Sequence, residues 1–494
     1  LLQNGADVNY RSENGESLLH IACRHGPLPM VILLQSKYSQ SVNHCDRKGR
    51  SVCHSAASGG NVEILNFLVE NGADPFSKDD DGMNLLHNAC FEGKKEMAFH
   101  LMDRYSTMLC SLGKGGLTVL HCVAYGGSIA ILNKACELIN IPTRTDYNSR
   151  LNVSSRDTSG FFKGIFNIFR KLINVYSQAD SNKHLDYNFH SENNGALHGK
   201  RVDLNARTET EETLLHMACL NGQLEMTKHL VQKCPDMISA VDHRNGTPAH
   251  YAAKSSNVLV LQYLIDKGLD PSRKTATHET LLHKSSLAGQ LEMTKYLAVK
   301  YPDMIHEVDI CKETIAHYAA KSSNISVLKC LIGQGLDPWC RTDTQQTLLH
   351  KSCIMGQLQM TQYLFQQYPD MINALDNYKE TPVHYAAQSG NISVLSYLID
   401  EGVDPRCRTS TQETLLHKSC FAGQLEMSQY LVEKCPDMIK AVDNCKRTPA
   451  HYAAESSNVS ILRYFIDIGF DPSCRTSKGE TLLHRSCLAG QLEM

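Results

Sequence analysis

Apolar residues in this chain fall into pairs of short runs at helical spacing, and the pairs return at a fixed interval. Between Thr280 and Asp309, Leu281, Leu282, His283, Leu287 and Ala288 mark one short helix, and Gly289 breaks it. Leu291, Met293, Tyr296 and Leu297 share a face of a second helix, which Pro302 prevents from continuing. A polar stretch then leads into the next threonine. In the neighbouring unit the stop is the glycine of Asp266-Lys267-Gly268-Leu269-Asp270-Pro271. Neither short helix could hide its apolar stripe alone, so the pattern predicts a solenoid in which each helix pair is covered by its neighbours.

The interval is regular enough to count. Thr213, Thr280, Thr347, Thr414 and Thr481 are 67 residues apart, and Thr247, Thr314, Thr381 and Thr448 form a second ladder with the same step. Successive anchors are therefore 34 or 33 residues apart, in two alternating kinds of unit. Ser17, Ser51, Asn84 and Thr118 carry the same spacing through residues 1–140, as about four units with the first truncated. From Thr118 to Thr213 is 95 residues where one step of 33 or 34 is due, so about 61 residues near 141–200 read as an insertion in a loop. Residues 201–494 then hold about eight units and a truncated last one. Within the insertion, Phe161, Ile165, Ile168, Phe169 and Leu172 form one face of an amphipathic helix over 161–175. It is too short and too charged to cross a bilayer. Docking on the solenoid, a partner groove and a membrane surface stay open for it.

Here the sequence resembles a known family. Thr247-Pro248-Ala249-His250-Tyr251-Ala252-Ala253 and Thr381-Pro382-Val383-His384-Tyr385-Ala386-Ala387 look like the ankyrin-repeat signature. Val394 to Asp404 and Asn4-Gly5-Ala6-Asp7-Val8-Asn9 resemble its second helix and glycine-containing turn. The resemblance implies an all-α repeat solenoid of helix-turn-helix units joined by β-hairpins or loops, with hairpins and first helices lining a concave side. It implies a structural box in which Thr213, His216, Thr247, His250, Thr280, His283, Thr314, His317, Thr347, His350, Thr381, His384, Thr414, His417, Thr448 and His451 hydrogen-bond backbone at the turn into the first helix. Every other unit departs from the pattern, with Leu for Pro in the box and a Pro-Asp-Met-Ile turn, as at Pro369 to Ile372. The hairpins after those turns are the least defined part of the expectation.

Composition changes this picture little. A net charge of −3 and a pI near 6.8 give no reason to expect nucleic acid as partner. No run approaches the roughly 18 apolar residues of a membrane span. Of 19 cysteines, Cys23, Cys90, Cys219, Cys353, Cys420 and Cys487 follow a box histidine by three residues. Layers of helices stack at roughly 8–10 Å, so cysteines two units apart lie far beyond the roughly 7 Å a disulfide spans. They read as small buried hydrophobes of a reducing, cytoplasmic compartment. The chain opens on what reads as a helix end and stops inside another helix, so a piece of a longer, monomeric protein is expected.

Thirteen of the 23 histidines sit in the box, and one residue copied along a rod does not make a catalytic constellation. No phosphate loop, nucleophile elbow, metal-ligand spacing or kinase signature occurs, so neither an enzyme, a cofactor nor a metal is expected. Asn152, Asn324, Asn391 and Asn458 match the N-glycosylation pattern, but three of them fall at one inter-helix turn where Asn is favoured for capping. Asn9 and Asn205, in Asp-Val-Asn and Asp-Leu-Asn, resemble the hairpin site that asparaginyl hydroxylases modify, with Leu1 and Leu197 eight residues earlier; a plain hairpin Asn is the alternative.

The stronger functional signal follows the first-helix small residues. In one kind of unit this position is apolar, at Phe91, Leu220, Leu287, Ile354 with Met355, Phe421 and Leu488. In the other it is Lys254, Lys321, Gln388 or Glu455, each followed by Ser. Apolar stripes roughly 20 Å apart are therefore expected on the inner face, unless the turn tucks them between units. Trp339 falls on a hairpin, either as an anchor for a partner or packed on its own stem. Lys284, Lys351, Lys418 and Arg485, with Arg341, Arg408 and Arg475 in the hairpins, form a basic column, a solvated edge or a match for an extended acidic partner. The expectation is a non-enzymatic scaffold or adaptor for other proteins. The alternative is the regulatory or anchoring arm of a larger signalling protein, kinase or ion channel.

Overall fold

A computed structural model describes residues 9–38, 42–138, 203–456 and 458–490. The amphipathic stretch 161–175, Leu1 and Leu197 lie outside the described residues. Among those described, the chain is a row of helix pairs, as at Leu415–Phe421 with Leu425–Lys434 and Pro449–Glu455 with Val459–Asp467.

Each first helix starts because its box residue caps it. Thr414 has an extended backbone (φ −96°, ψ 172°), and its hydroxyl and the His417 ring satisfy each other's backbone amides in a capping box. His stands where Glu or Gln is usual. The helix stops after two turns because the chain must reverse: Gly423 takes a left-handed φ of +72°, open to glycine at little cost. The second helix then runs back. In units with the Pro-Asp-Met-Ile turn, Pro436–Lys440 forms a short 3-10 turn that drives Met438 into the core. In the other units Asn458 caps the second helix through its side-chain oxygen, while its Nδ2 donates to the Gly423 carbonyl of the preceding unit at 2.9 Å. Asn324 and Asn391 do the same to Gly289 and Gly356, so the nitrogens that a glycan would need are already in use.

The expected β-hairpins shrink, among the described residues, to isolated antiparallel bridges such as Arg207↔Thr213 and Val308↔Thr314. The box threonine closes the bridge and immediately enters a helix, so nothing remains to lengthen a ladder. Each hairpin tip has a positive φ, whether the residue is Gly82 (70°), Gln345 (65°) or Lys379 (56°). Neighbouring tips are tied by backbone bonds all pointing one way: Asp343 N–H donates to the Cys311 carbonyl, Asn377 to Thr344 and Asn444 to Thr411, at 2.9–3.0 Å.

One buried apolar cluster runs from Leu19 to Leu482. It continues from the residues before 139 to those after 202. Val119–Gly126 packs on Leu214–Leu220, Glu209 N–H donates to the Gly115 carbonyl at 2.7 Å, and Asn221 Nδ2 donates to the Tyr125 carbonyl at 2.8 Å. First helices pack on one another more closely than second helices do, so the first-helix row is the inside of the curve. All nineteen cysteines are free, and burial pushes the thiols of Cys219, Cys353 and Cys420 up to about 12. Cys487, on the last unit described, is exposed.

Candidate protein-binding face

The box histidines lie at the floor of the inner face. Thr213 N–H donates to His216 Nδ1 at 3.1 Å, so the proton sits on Nε2, which donates to the Gly246 carbonyl of the next unit at 3.2 Å. His350 links to the Glu380 carbonyl and His417 to that of Arg447 in the same way. Burial lowers the pKa of His216, His283, His350 and His417 to about 4, and His250, His317 and His384 follow. These are neutral structural groups, and His216, His317, His350 and His417 join a threonine corner to the next layer.

Above them lies a polar network spaced by the same period. Tyr251, Tyr318, Tyr385 and Tyr452 set their rings edge-on to the box histidine of the preceding unit, with centroids 4.8–5.4 Å apart. The Tyr318 hydroxyl donates to Glu279 Oε1 at 3.0 Å and Asp309 Oδ2 at 2.9 Å, and that of Tyr452 to Glu413 and Asp443 at 2.6 and 3.0 Å. The basic column joins this network. Lys284 pairs with Glu279 at 2.6 Å, Lys351 with Glu313 at 2.6 Å, and Lys418 with both Glu380 and Glu413 at 2.5 Å. Lys321 also pairs with Glu313, and Arg485 with Glu455 and Glu480. Burial pushes the Glu279 carboxyl up, but hydrogen bonds from Lys284 and Thr277 outweigh it and hold its pKa at about 2. The column is therefore neither a solvated edge nor a bare cationic ladder; its charge is answered inside the protein. Glu455 apart, the carboxylates that answer it (Glu279, Glu313, Glu380, Glu413 and Glu480) stand one residue before the box.

The hairpin arginines are exposed, but they bond to loop backbone. Arg341 donates to the Gln345 and Leu375 carbonyls at 3.0 and 3.2 Å, and Arg408 to those of Gln412 and Val442 at 2.8 and 3.2 Å, so each clasps the next loop.

The apolar positions stand between these polar rungs. Leu287 is 37% exposed, Met355 50%, Phe421 57% and Leu488 72%, the last on a unit with none described beyond it. Leu220 and Ile354 are half-buried. Phe421 leans edge-on against Tyr452 at 6.2 Å, and Phe91 stacks on Tyr125 at 4.3 Å. Trp339 is elsewhere: its ring meets Tyr368, at the end of a second helix, edge-on at 5.8 Å, as Phe76 meets Tyr105. It therefore sits on the second-helix side of the hairpin, apart from the stripes. Asn205 is exposed, with its backbone N–H donating to Asp203 Oδ1 at 2.8 Å, and Asn9 is exposed at the start of the described chain. Among the described residues no cluster of His, Cys, Asp and Glu has the geometry of a metal site, and no helix is long and apolar enough to cross a membrane.

Comparison with known proteins gives the array its relatives. The chain is 23% identical to the human transient receptor potential cation channel subfamily A member 1 over 463 residues, 89% of this chain and 38% of that protein. It is 29% identical to the Caenorhabditis elegans homolog of that channel over 184 residues, 37% of this chain and 15% of the relative. Alpha-latrocrustotoxin-Lt1a of Latrodectus tredecimguttatus is 23% identical over 60% of this chain and 21% of the toxin. The chain thus spans less than half the length of these relatives. A crystal structure of the human ASB11 ankyrin repeat domain matches 42% of this chain and 92% of its own at 21% identity, with a TM-score of 0.36. The family model described as ankyrin repeats (3 copies) matches residues 1–79, 187–275, 260–342, 316–409, 394–476 and 416–494. With its family model matched over most of its length, the chain belongs to the ankyrin-repeat family.

Proposed function

We propose that the first-helix row is a non-enzymatic binding face for segments of other proteins, and that the chain acts as a scaffold or adaptor. One observation carries this: at one position of every second unit Leu287 and Phe421 are left in solvent, and between them Met355 is exposed one residue after the half-buried Ile354, while the polar groups between these units satisfy one another. A segment laid along the face buries apolar surface without stripping unpaired charges of water, and several weak contacts in series sum. Phe421→Ser and Leu287→Ser should each weaken capture of a partner several-fold with unchanged helical circular dichroism. Deleting residues 280–413, two whole 67-residue periods, should abolish capture if the partner spans the middle stripes; unchanged binding removes them as the site.

The channel relatives favour a second reading, the regulatory or anchoring arm of a larger membrane protein. Reading the gene outward from both ends decides it, since an absence of membrane-spanning segments there sinks the channel form. The free cysteines suit a monomer in the reducing cytoplasm. Asn205 hydroxylation is tested by mass spectrometry on protein from cells with an active asparaginyl hydroxylase; peptides lacking one added oxygen discard it.

A further inference from the structure

The polar rungs of the inner face are not equivalent. Lys321 lies over the Tyr318 ring, 4.6 Å from its centroid, and is paired with Glu313, which also takes Lys351. Gln388 is neutral and donates to Glu380 at 3.4 Å. Glu455 is taken by Arg485. Lys254 occupies the matching place one period earlier, 4.8 Å from the centroid of the Tyr251 ring. Its carboxylate is missing, because Gly246 stands where Glu313 and Glu380 stand. The nearest acids are committed: the Tyr251 hydroxyl donates to Glu212 at 2.6 Å and Asp242 at 2.8 Å, and Lys284 holds Glu279 at 2.6 Å. Burial and the Lys284 charge lower the Lys254 pKa, as expected for an ammonium with no acid against it. This half-buried cation lies between two apolar positions, Leu220 one unit before it and Leu287 one unit after.

Resting on the binding-face reading, we propose that the stretch from Leu220 to Leu287 binds an extended peptide segment whose Asp or Glu pairs with Lys254 and whose flanking apolar side chains meet Leu220 and Leu287. The spacing follows from the fold. Stacked helical layers are about 10 Å apart and an extended chain advances about 3.3 Å per residue, so one unit corresponds to about three residues. The recognised pattern is apolar-x-x-acid-x-x-apolar. Elsewhere on the face the lysines already hold carboxylates, and a partner acid there would compete with Glu313, Glu380 or Glu413.

The test is fluorescence anisotropy on the full chain with labelled ten-residue peptides, Phe at the first and last pattern positions and Glu, Gln or Lys in the middle. The Glu peptide should bind about tenfold more tightly than the Gln peptide at low salt, with the ratio shrinking as salt rises and the Lys peptide weakest. Lys254→Met should erase the Glu preference and Lys254→Arg should retain it. Equal binding of Glu and Gln peptides, a preference that survives Lys254→Met, or no binding by any peptide overturns the proposal. Leu287→Ser separates the two ideas. If it weakens Glu and Gln peptides alike while the wild-type chain shows no charge preference, the binding face stands and the acid pocket falls. If it leaves both peptides unaffected, the binding-face reading itself fails at this stretch.

Discussion

The two kinds of unit divide the work of the inner face between them. A unit of the Thr-Leu-Leu-His kind offers an apolar side chain to solvent and a cation to its neighbours, as with Phe421 and Lys418. A unit of the other kind offers a tyrosine that reaches back, as Tyr452 does to Glu413, and, Lys254 apart, keeps its polar rung occupied. Junctions within a pair are held by a ring against a histidine and a hydroxyl shared by two carboxylates. Junctions between pairs are held by an ammonium on the preceding unit's carboxylate, as Lys351 is on Glu313. The 67-residue period is thus a structural pair, and the stripe lies at its open position.

The largest expected effect ignores this division, because both kinds of unit carry the buried histidine. A folded His pKa near 4 against an ordinary 6.5 means the unfolded chain takes up more protons between those values. Stability is complete above pH 6.5 and falls as pH drops towards 4, by up to about 3 kcal/mol for each such histidine. Urea midpoints from circular dichroism should drop steeply between pH 6.5 and 5; a flat profile there removes the neutral-histidine account. Tyr318→Phe tests the junction within a pair: Glu279 and Asp309 lose a shared donor, costing about 2 kcal/mol. Lys351→Met tests the junction between pairs. Glu313 keeps Lys321, so the loss should be nearer about 1 kcal/mol, and an equal or larger loss would erase the difference drawn between the two junctions. The smallest effect is a gain. Gln345→Gly relieves a left-handed tip (φ 65°) and should stabilise by about 0.5 kcal/mol, whereas Gly479→Ala at an equivalent tip (φ 76°) should destabilise.

The repeat, the helix pairs, their caps and the continuity on either side of residues 141–200 were readable because each depends on residues a few positions apart or on the period itself. The tyrosine network was not, although its residues recur every 67 positions: Tyr318 and Glu279 are 39 residues apart, and a period says nothing about which recurring side chains touch. For the same reason the sequence leaves the basic column open as a solvated edge or a partner site, whereas Glu313, Glu380 and Glu413 pair with it in the fold. Trp339 was legible as a hairpin residue, but its side of the hairpin is set by Tyr368, 29 positions on. The exposure of Phe421 and Leu287 was one of two outcomes the sequence left open, because whether the turn tucks them between units depends on packing that periodicity does not encode.

The one-way chain of amide bonds between loop tips has a mechanical consequence. Each bond couples only adjacent layers, so a pull on the two ends loads them in series and the weakest end layer lets go first. Every layer released adds about 110 Å of slack, from 33 residues at about 3.4 Å each. Such a chain yields in steps under tension and recoils layer by layer.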